Sequence, residues 1–371
     1  WVGFLGVASA FVILSFYGVV GGWVLKYVIV SITGGFNELA GDPDAAGNVF
    51  NTFITDTWSP IIYQVFFMAF CVWVIVNGVK GGIEKWSKIM MPLIVVLLAV
   101  LAVRGMTLEG GMKGISFLFN PRFEDLTANS IVLALGHSFF TVSLGMGTMI
   151  TYGSYLNRKQ NLLNAALWVI ALDTAIAMLA GIAIFTTVFA LGANPAEGPG
   201  LIFVVLPSVF PQLAAGTLWG TIFFVLLFMA ALTSAISILE VVTAYFIDQK
   251  GWSRKKATIQ FGAVITVVGV FCSLSMGGGV NITEFLGMTF FDVMDYLSAK
   301  YMLPIGGMLT AIFILRKWGI SNYMAELKSG MGDTNISSRL VQVVLTIAAA
   351  VVAFIIFNEV YAEIFGKALI G

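Results

Sequence analysis

The stretch FFTVSLGMG, Phe139 to Gly147, puts two hydroxyls and two glycines at the centre of an apolar run. Thr141 and Ser143 carry oxygens, while Gly145 and Gly147 weaken any helix. Irregular backbone at membrane depth survives only where it is buried in protein or lines a cavity. There, free carbonyls can coordinate a small cation, and free amides or a helix N-terminus can hold a carboxylate. A packing seam between helices would use the same small residues. On this stretch alone both readings stay open. The same choice arises at ALTSA, 231–235, where Thr233 and Ser234 set adjacent hydroxyls in a small-residue patch. That patch leaves room for an ion and offers hard oxygen ligands, or it packs a helix. Asp173, in NAALWVIALDTAIAML, is the carboxylate deepest in an apolar run. At mid-span such a group costs about 2.5–3.5 kcal/mol on insertion scales, so it needs a partner or a task. Tyr17 lies deep in its own run, so its hydroxyl must find a partner as well.

A membrane must position these residues. The chain has 371 residues, 59% hydrophobic and 10% charged, against about 25% charged in soluble domains. Net charge is zero, so nothing points to nucleic acid. Cys71 and Cys272 both lie in apolar runs and make no disulfide framework or metal spacing. Windows of roughly 20 apolar residues predict nine membrane helices, at about 3–31, 60–79, 87–106, 129–155, 162–191, 217–247, 257–275, 289–315 and 339–360. Short loops separate them, with no soluble domain. Alternate loops are basic: Lys80, Lys85 and Lys88; Arg158 and Lys159; Lys250 and Arg254 to Lys256; Arg316, Lys317, Lys328 and Arg339. The loops at 32–57 and 192–216 have no Lys or Arg. The basic side is cytoplasmic by the positive-inside rule, which predicts the Trp1 end inside and the C-terminus outside. Gly198–Leu213, interrupted by prolines, is expected to form an external helical hairpin.

The segments also carry a resemblance. SFFTVSLGMGTMITYGSYL, Ser138 to Leu156, resembles the sixth helix of the neurotransmitter:sodium symporter family. FVILSFYGVVGGW (Phe11–Trp23) resembles the third helix, and FMAALTSAISILE (Phe228–Glu240) the eighth. FFDVMD (Phe290–Asp295) resembles the start of the tenth, and GIEKWSKIMMP (Gly82–Pro92) has the glycine–nine residues–proline pattern of the fifth. Within the family the likeness is nearest to bacterial members that carry hydrophobic amino acids. The implied fold is an all-α membrane protein, an inverted-repeat, leucine-transporter-like helical bundle. Residues 1–371 would form one transporter domain. In it 1–106 complete the first repeat, 129–315 form the second, and 339–360 add a C-terminal helix. The helices would be the third to the eleventh, with the first two, including another broken helix, outside this chain.

The resemblance implies a site residue by residue. Thr141 and Asp173 are implied at a first sodium site. Ala230, through its carbonyl, with Thr233 and Ser234 is implied at a second. Tyr17 is the phenol implied to bond the substrate carboxylate. Phe140 and Ser143 are implied at its amine, and Thr141 and Ser234 border the same pocket. Ile13, Phe16, Met146 and Ile238 would line the side-chain pocket. Met is flexible and polarizable, which suits ligands of varied shape. Asp295 is the implied outer-gate carboxylate, with Lys300 near enough in sequence to share its network. Pro92 is expected to break its helix, and Gly82 and Pro92 to bound an inner water path.

The expectation is a sodium-coupled symporter of hydrophobic L-amino acids, aliphatic or aromatic, working by alternating access in the bacterial cytoplasmic membrane. Its partners are the substrate, Na⁺ and the lipid bilayer. Chloride-dependent relatives carry Asn where Asp173 stands and Ser one turn on, where this chain has Ala177. The resemblance therefore implies no chloride requirement. Once sodium leaves, a buried carboxylate would take up a proton, giving proton antiport on the return step. A proton-coupled carrier of the same fold would use Asp173 and His137, the single histidine. A non-transporting amino-acid-binding protein is a further alternative. An enzyme is not expected: Ser143 and His137 are six residues apart, off one helical face, with no supporting motif. Glu240 is expected to be structural.

Overall fold

Backbone polar groups cannot stay unpaired in hydrocarbon, so apolar spans must satisfy them internally as helix. The computed structural model describes residues 1–157, 159–193, 195, 200–277, 287–330 and 336–365, and among these no strand occurs. The first third holds α1 (Val2–Ile32), α2 (Pro43–Thr55), α3 (Ser59–Val76), α4 (Lys85–Met106) and α5 (Met112–Phe119). The middle holds α6 (Ala128–Thr141), α7 (Thr148–Ser154), α8 (Leu162–Ala190) and the short α9 (Leu201–Gln212). Then follow α10 (Gly216–Lys250), α11 (Arg254–Leu274), α12 (Phe290–Tyr296), α13 (Leu303–Phe313), α14 (Ile320–Ser329) and α15 (Ser338–Phe365). Among the described residues, eight helical stretches are long and apolar enough to cross a membrane, α12 and α13 counting as one through a π-helical turn. The ninth expected span is the one that breaks, into α6 and α7.

The core forms where α1 lies along α10 and between α3 and α11. Small residues make this approach possible. Gly21 and Gly22 of α1 face the Phe67 ring and the Gln64 backbone so closely that a Cβ at either would collide. Gln64 is fully buried and donates to the Thr266 carbonyl at 3.1 Å, tying α3 to α11. At the far end of α1, Trp23 and Tyr27 meet Phe50 of α2 and Phe203 of α9. The Tyr27 hydroxyl donates to the Phe203 carbonyl at 3.0 Å, so α2 and α9 cap this end.

Two expectations need correction. Pro92 does not break its helix: α4 runs unbroken from Lys85 to Met106. The one carbonyl that loses its N–H partner is that of Lys88, at the basic end of the span beside the exposed Lys85 and Lys88 side chains. The irregular turn lies earlier, as a π-helical stretch at Val79–Glu84 behind Gly78. The proline-rich segment forms one irregular helix, α9, and not a hairpin; Gly198 and Pro199 lie outside the described residues. Pro207 and Pro211 each stand in the first turn of a helical piece, where a missing N–H costs little.

Candidate substrate and ion site

A Thr127–Ser130 capping box starts α6, and the helix ends at Thr141. The Ser143 and Leu144 amides close its last turn on the Phe140 and Phe139 carbonyls, at 3.1 and 2.8 Å. The chain then leaves helical geometry for six residues. Ser143 has φ of 55°, Gly145 of 83° and Gly147 of 79°. A left-handed Ser costs about 1–3 kcal/mol and persists only where its surroundings over-determine it. Gly145 is required twice over, since a Cβ there would also strike the Leu303 carbonyl of α13. Among the described residues, the carbonyls of Thr141 through Met146 accept no backbone hydrogen bond. The interruption read from the sequence is therefore a real break, with free acceptors on one side and the start of α7 on the other.

A cavity of about 290 Å³ opens at this break. α6 and the break line it with His137, Phe140, Thr141, Ser143 and Met146. Tyr17 comes from α1, Asp173 from α8, and Ser234, Ser237 and Ile238 from α10. Thr141 Oγ1 donates to both Asp173 oxygens, at 3.0 and 3.2 Å, so the two residues implied at a first sodium site are in direct contact. Such a charge-assisted bond contributes about 1.5–3 kcal/mol where it is dry. Asp173 is only half-buried here. Among the described residues it pairs with no Lys or Arg. On α10, Thr233 Oγ1 donates to the Ala230 carbonyl at 2.9 Å, which sets two of the implied second-site oxygens side by side. Ser234 is exposed one position on, facing the cavity.

Other expected residues stand apart. Ile13 is fully buried and Phe16 packs edge-on against Phe291, with ring centroids 5.6 Å apart; neither lines the cavity. Met146 is 2% exposed yet borders it. Asp295 is exposed on α12 and, among the described residues, makes no ion pair. Lys300 does not join it: its Nζ lies 2.9 Å from Glu359 of α15. Gly82 presses on the Val74 carbonyl, and neither it nor Pro92 reaches the cavity. Two lining residues were not assigned to the pocket from sequence. Ser237 sits one turn beyond Ser234, a spacing that could have exposed it. His137 sits one turn before Thr141 by the same rule. Glu240 is fully buried, with Arg254 Nη1 2.6 Å from Oε2 and the Tyr155 hydroxyl on Oε1. This cluster joins the end of α7 to α10 and α11.

Long apolar helices around a broken helix, with hydroxyls and a carboxylate lining a cavity at the break, are the arrangement of a secondary transporter. The chain belongs to the sodium:neurotransmitter symporter family, whose model matches residues 54–366. It is 40% identical over 328 residues to the uncharacterized sodium-dependent transporter YhdH of Bacillus subtilis (strain 168), covering 88% of this chain and 72% of that protein. An uncharacterized sodium-dependent transporter of Haemophilus influenzae is 36% identical over 320 residues, 84% of this chain and 69% of its own. Among solved structures, that of MhsT in complex with L-phenylalanine superposes with a TM-score of 0.85 at 42% identity, over 96% of this chain and 80% of that one. The fold is thus the leucine-transporter-like bundle, the protein is a multi-pass membrane protein, and its family is one of sodium-coupled transporters, not enzymes.

Proposed function

We propose that the protein carries hydrophobic L-amino acids inward across the bacterial cytoplasmic membrane, coupled to sodium, by alternating access. The carrying observation is the convergence on one cavity of Thr141, Asp173, Tyr17, Ser143 and Ser234 from four helices and the break. The MhsT structure with bound phenylalanine supports the substrate class. In this reading a first sodium sits between the Asp173 carboxylate and Thr141, whose hydroxyl keeps lone pairs for it. A second sits at Ala230, Thr233 and Ser234. The substrate carboxylate meets Tyr17, its amine meets Phe140 and Ser143, and its side chain lies toward Met146 and Ile238. Residues 1–106 and 129–315 belong to the two inverted repeats, and 339–360 to an added helix. The basic loops face the cytoplasm. Gly82 and Pro92 bound the inner path, and Asp295 is the outer gate. Asp173 supplies negative charge in place of chloride and returns outward-going protons.

Equilibrium binding of radiolabelled leucine, phenylalanine and tryptophan to the purified full-length protein tests this. Binding should require sodium and should not be replaced by potassium. Absence of saturable binding at any sodium concentration would remove the substrate assignment. His137 and Asp173 share the cavity, so binding that persists without sodium and rises with acidity would favour the proton-coupled carrier.

A further inference from the structure

α12 runs into a π-helical turn at Leu297–Met302 before α13 begins. Such turns are rare and gather at functional sites. Asp295 stands just before this turn and Lys300 inside it. In an α-helix, positions five apart face different ways. A π-helical turn winds more slowly, which brings them nearer to one face. Lys300 is nevertheless held elsewhere. Its Nζ lies 2.9 Å from Glu359 Oε2 of α15 and 4.8 Å from the centre of the Tyr296 ring. The Tyr301 ring meets that of Tyr296 edge-on, with centroids 6.0 Å apart. Ser298 is fully buried and donates its hydroxyl to the Asp295 carbonyl at 3.0 Å, which pins the backbone at the turn. The Asp295 carboxylate is exposed, and among the described residues no cation lies within ion-pair distance of it. Asp292 is engaged by the Thr289 hydroxyl at 2.7 Å.

Helix packing alone does not call for the Lys300–Glu359 pair. α13 already lies along α15, with Ala311 of the one and Val352 and Ile355 of the other buried. The Glu359 side chain is 17% exposed and that of Lys300 41%. Taking both charges partly out of water is costly, and apolar residues of similar size could join the helices as well. The pair therefore has a use for its charge. We propose that Glu359 is a holding partner for Lys300: it keeps the ammonium off Asp295 and leaves that carboxylate free to take another cation as the outer gate shuts. This rests on the reading of Asp295 as the outer gate. Lys300 and Glu359 are positioning residues, since neither lines the substrate cavity. Without the Glu359 charge, the nearest carboxylate along the chain from Lys300 is Asp295. A pair formed there would compete with closure of the gate.

Two measurements on the full-length protein test it. Zero-length carbodiimide coupling, followed by peptide mass spectrometry, reads which carboxylate Lys300 touches and needs no substrate. Wild type should yield a Lys300–Glu359 link, and Glu359→Gln should yield Lys300–Asp295 instead. The second measurement is the dissociation rate of bound radiolabelled leucine in sodium. Glu359→Gln should release leucine about fivefold faster than wild type, the scale of one exposed charge pair. The double variant Lys300→Met, Glu359→Gln should return to the wild-type rate, and Lys300→Arg should keep that rate. A strut that merely joined α13 to α15 would give the opposite, a double variant as fast as the single one. Absence of the Lys300–Asp295 link in Glu359→Gln overturns the proposal, and so does a double variant that fails to recover. Release at the wild-type rate from Asp295→Asn would instead sink the gate reading itself, and with it this role for Glu359.

Discussion

Met146 makes the most specific case among single residues. It is nearly buried, yet it borders the cavity beside Ile238. An unbranched thioether can rearrange around ligands of different outline, and a rigid ring cannot. Met146→Phe should therefore narrow the range toward small aliphatic amino acids. Overpacking costs about 1–3 kcal/mol, so the preference for tryptophan relative to leucine should fall about tenfold in competition binding. An unchanged ratio would take Met146 out of the side-chain pocket. Thr141, Ser143, Asp173 and Ser234 stand out in the sequence as polar groups in apolar runs, but their site roles came from the family resemblance, because helix packing uses the same small hydroxyl residues. Ser237 and Ile13 were harder. Which face of a helix meets a cavity depends on its rotation about its axis, and α1 and α10 are too uniformly apolar to reveal it. Ile13 consequently went to the core, and Ser237 came to the wall.

The break between α6 and α7 is the element on which the site depends. Its two glycines beside hydroxyls marked the place, although a packing seam would use the same residues, and the resemblance to a broken helix decided between the two. Pro92 was misread for a related reason. Proline removes one hydrogen bond, at the carbonyl four residues back, and a membrane helix can run through it; in α4 that carbonyl belongs to Lys88, at the basic end of the span. α2 is too short to stand out as an apolar span, although Asp42 and Pro43 announce it. The Asp42 carboxylate caps the helix by accepting from the Ala45 amide at 2.9 Å. Two glycines of the broken region should answer alanine substitution in opposite directions. Gly136 lies within α6, and nothing stands within 4 Å of an added Cβ. Gly136→Ala should stabilise by about 0.5–1 kcal/mol. Gly145→Ala forces a left-handed alanine, costing about 1–2 kcal/mol, and drives its methyl into the Leu303 carbonyl. Thermal unfolding of the purified protein should show a higher midpoint for the first and a clearly lower one for the second. Equal midpoints would mean that the break does not hold Gly145 against α13.

For the molecule as a whole the question is charge balance. In the proposed cycle two sodium ions and a zwitterion would bring net positive charge to the cavity, which must be offset. Asp173 is the one carboxylate among the described residues lining it, and no side-chain cation neutralises it. The residue one turn on, Ala177, cannot help to hold an anion. The protein should therefore transport equally well when chloride is replaced by gluconate. At an effective dielectric of ~20, a unit charge about 4 Å from the ion contributes roughly 4 kcal/mol. The amide oxygen in Asp173→Asn recovers part of that, so sodium affinity should fall by an order of ten or more. The proposed proton antiport through Asp173 makes a separate prediction. Wild-type uptake into proteoliposomes should consequently respond to internal pH, and the Asn variant should not. Sodium-driven uptake of leucine, measured for both forms in chloride and in gluconate across several internal pH values, separates the outcomes. A wild type that stalls in gluconate would place the balancing charge on an external anion. A variant that keeps the wild-type pH response would put the proton on another group, with His137 the first to examine because it faces the same cavity.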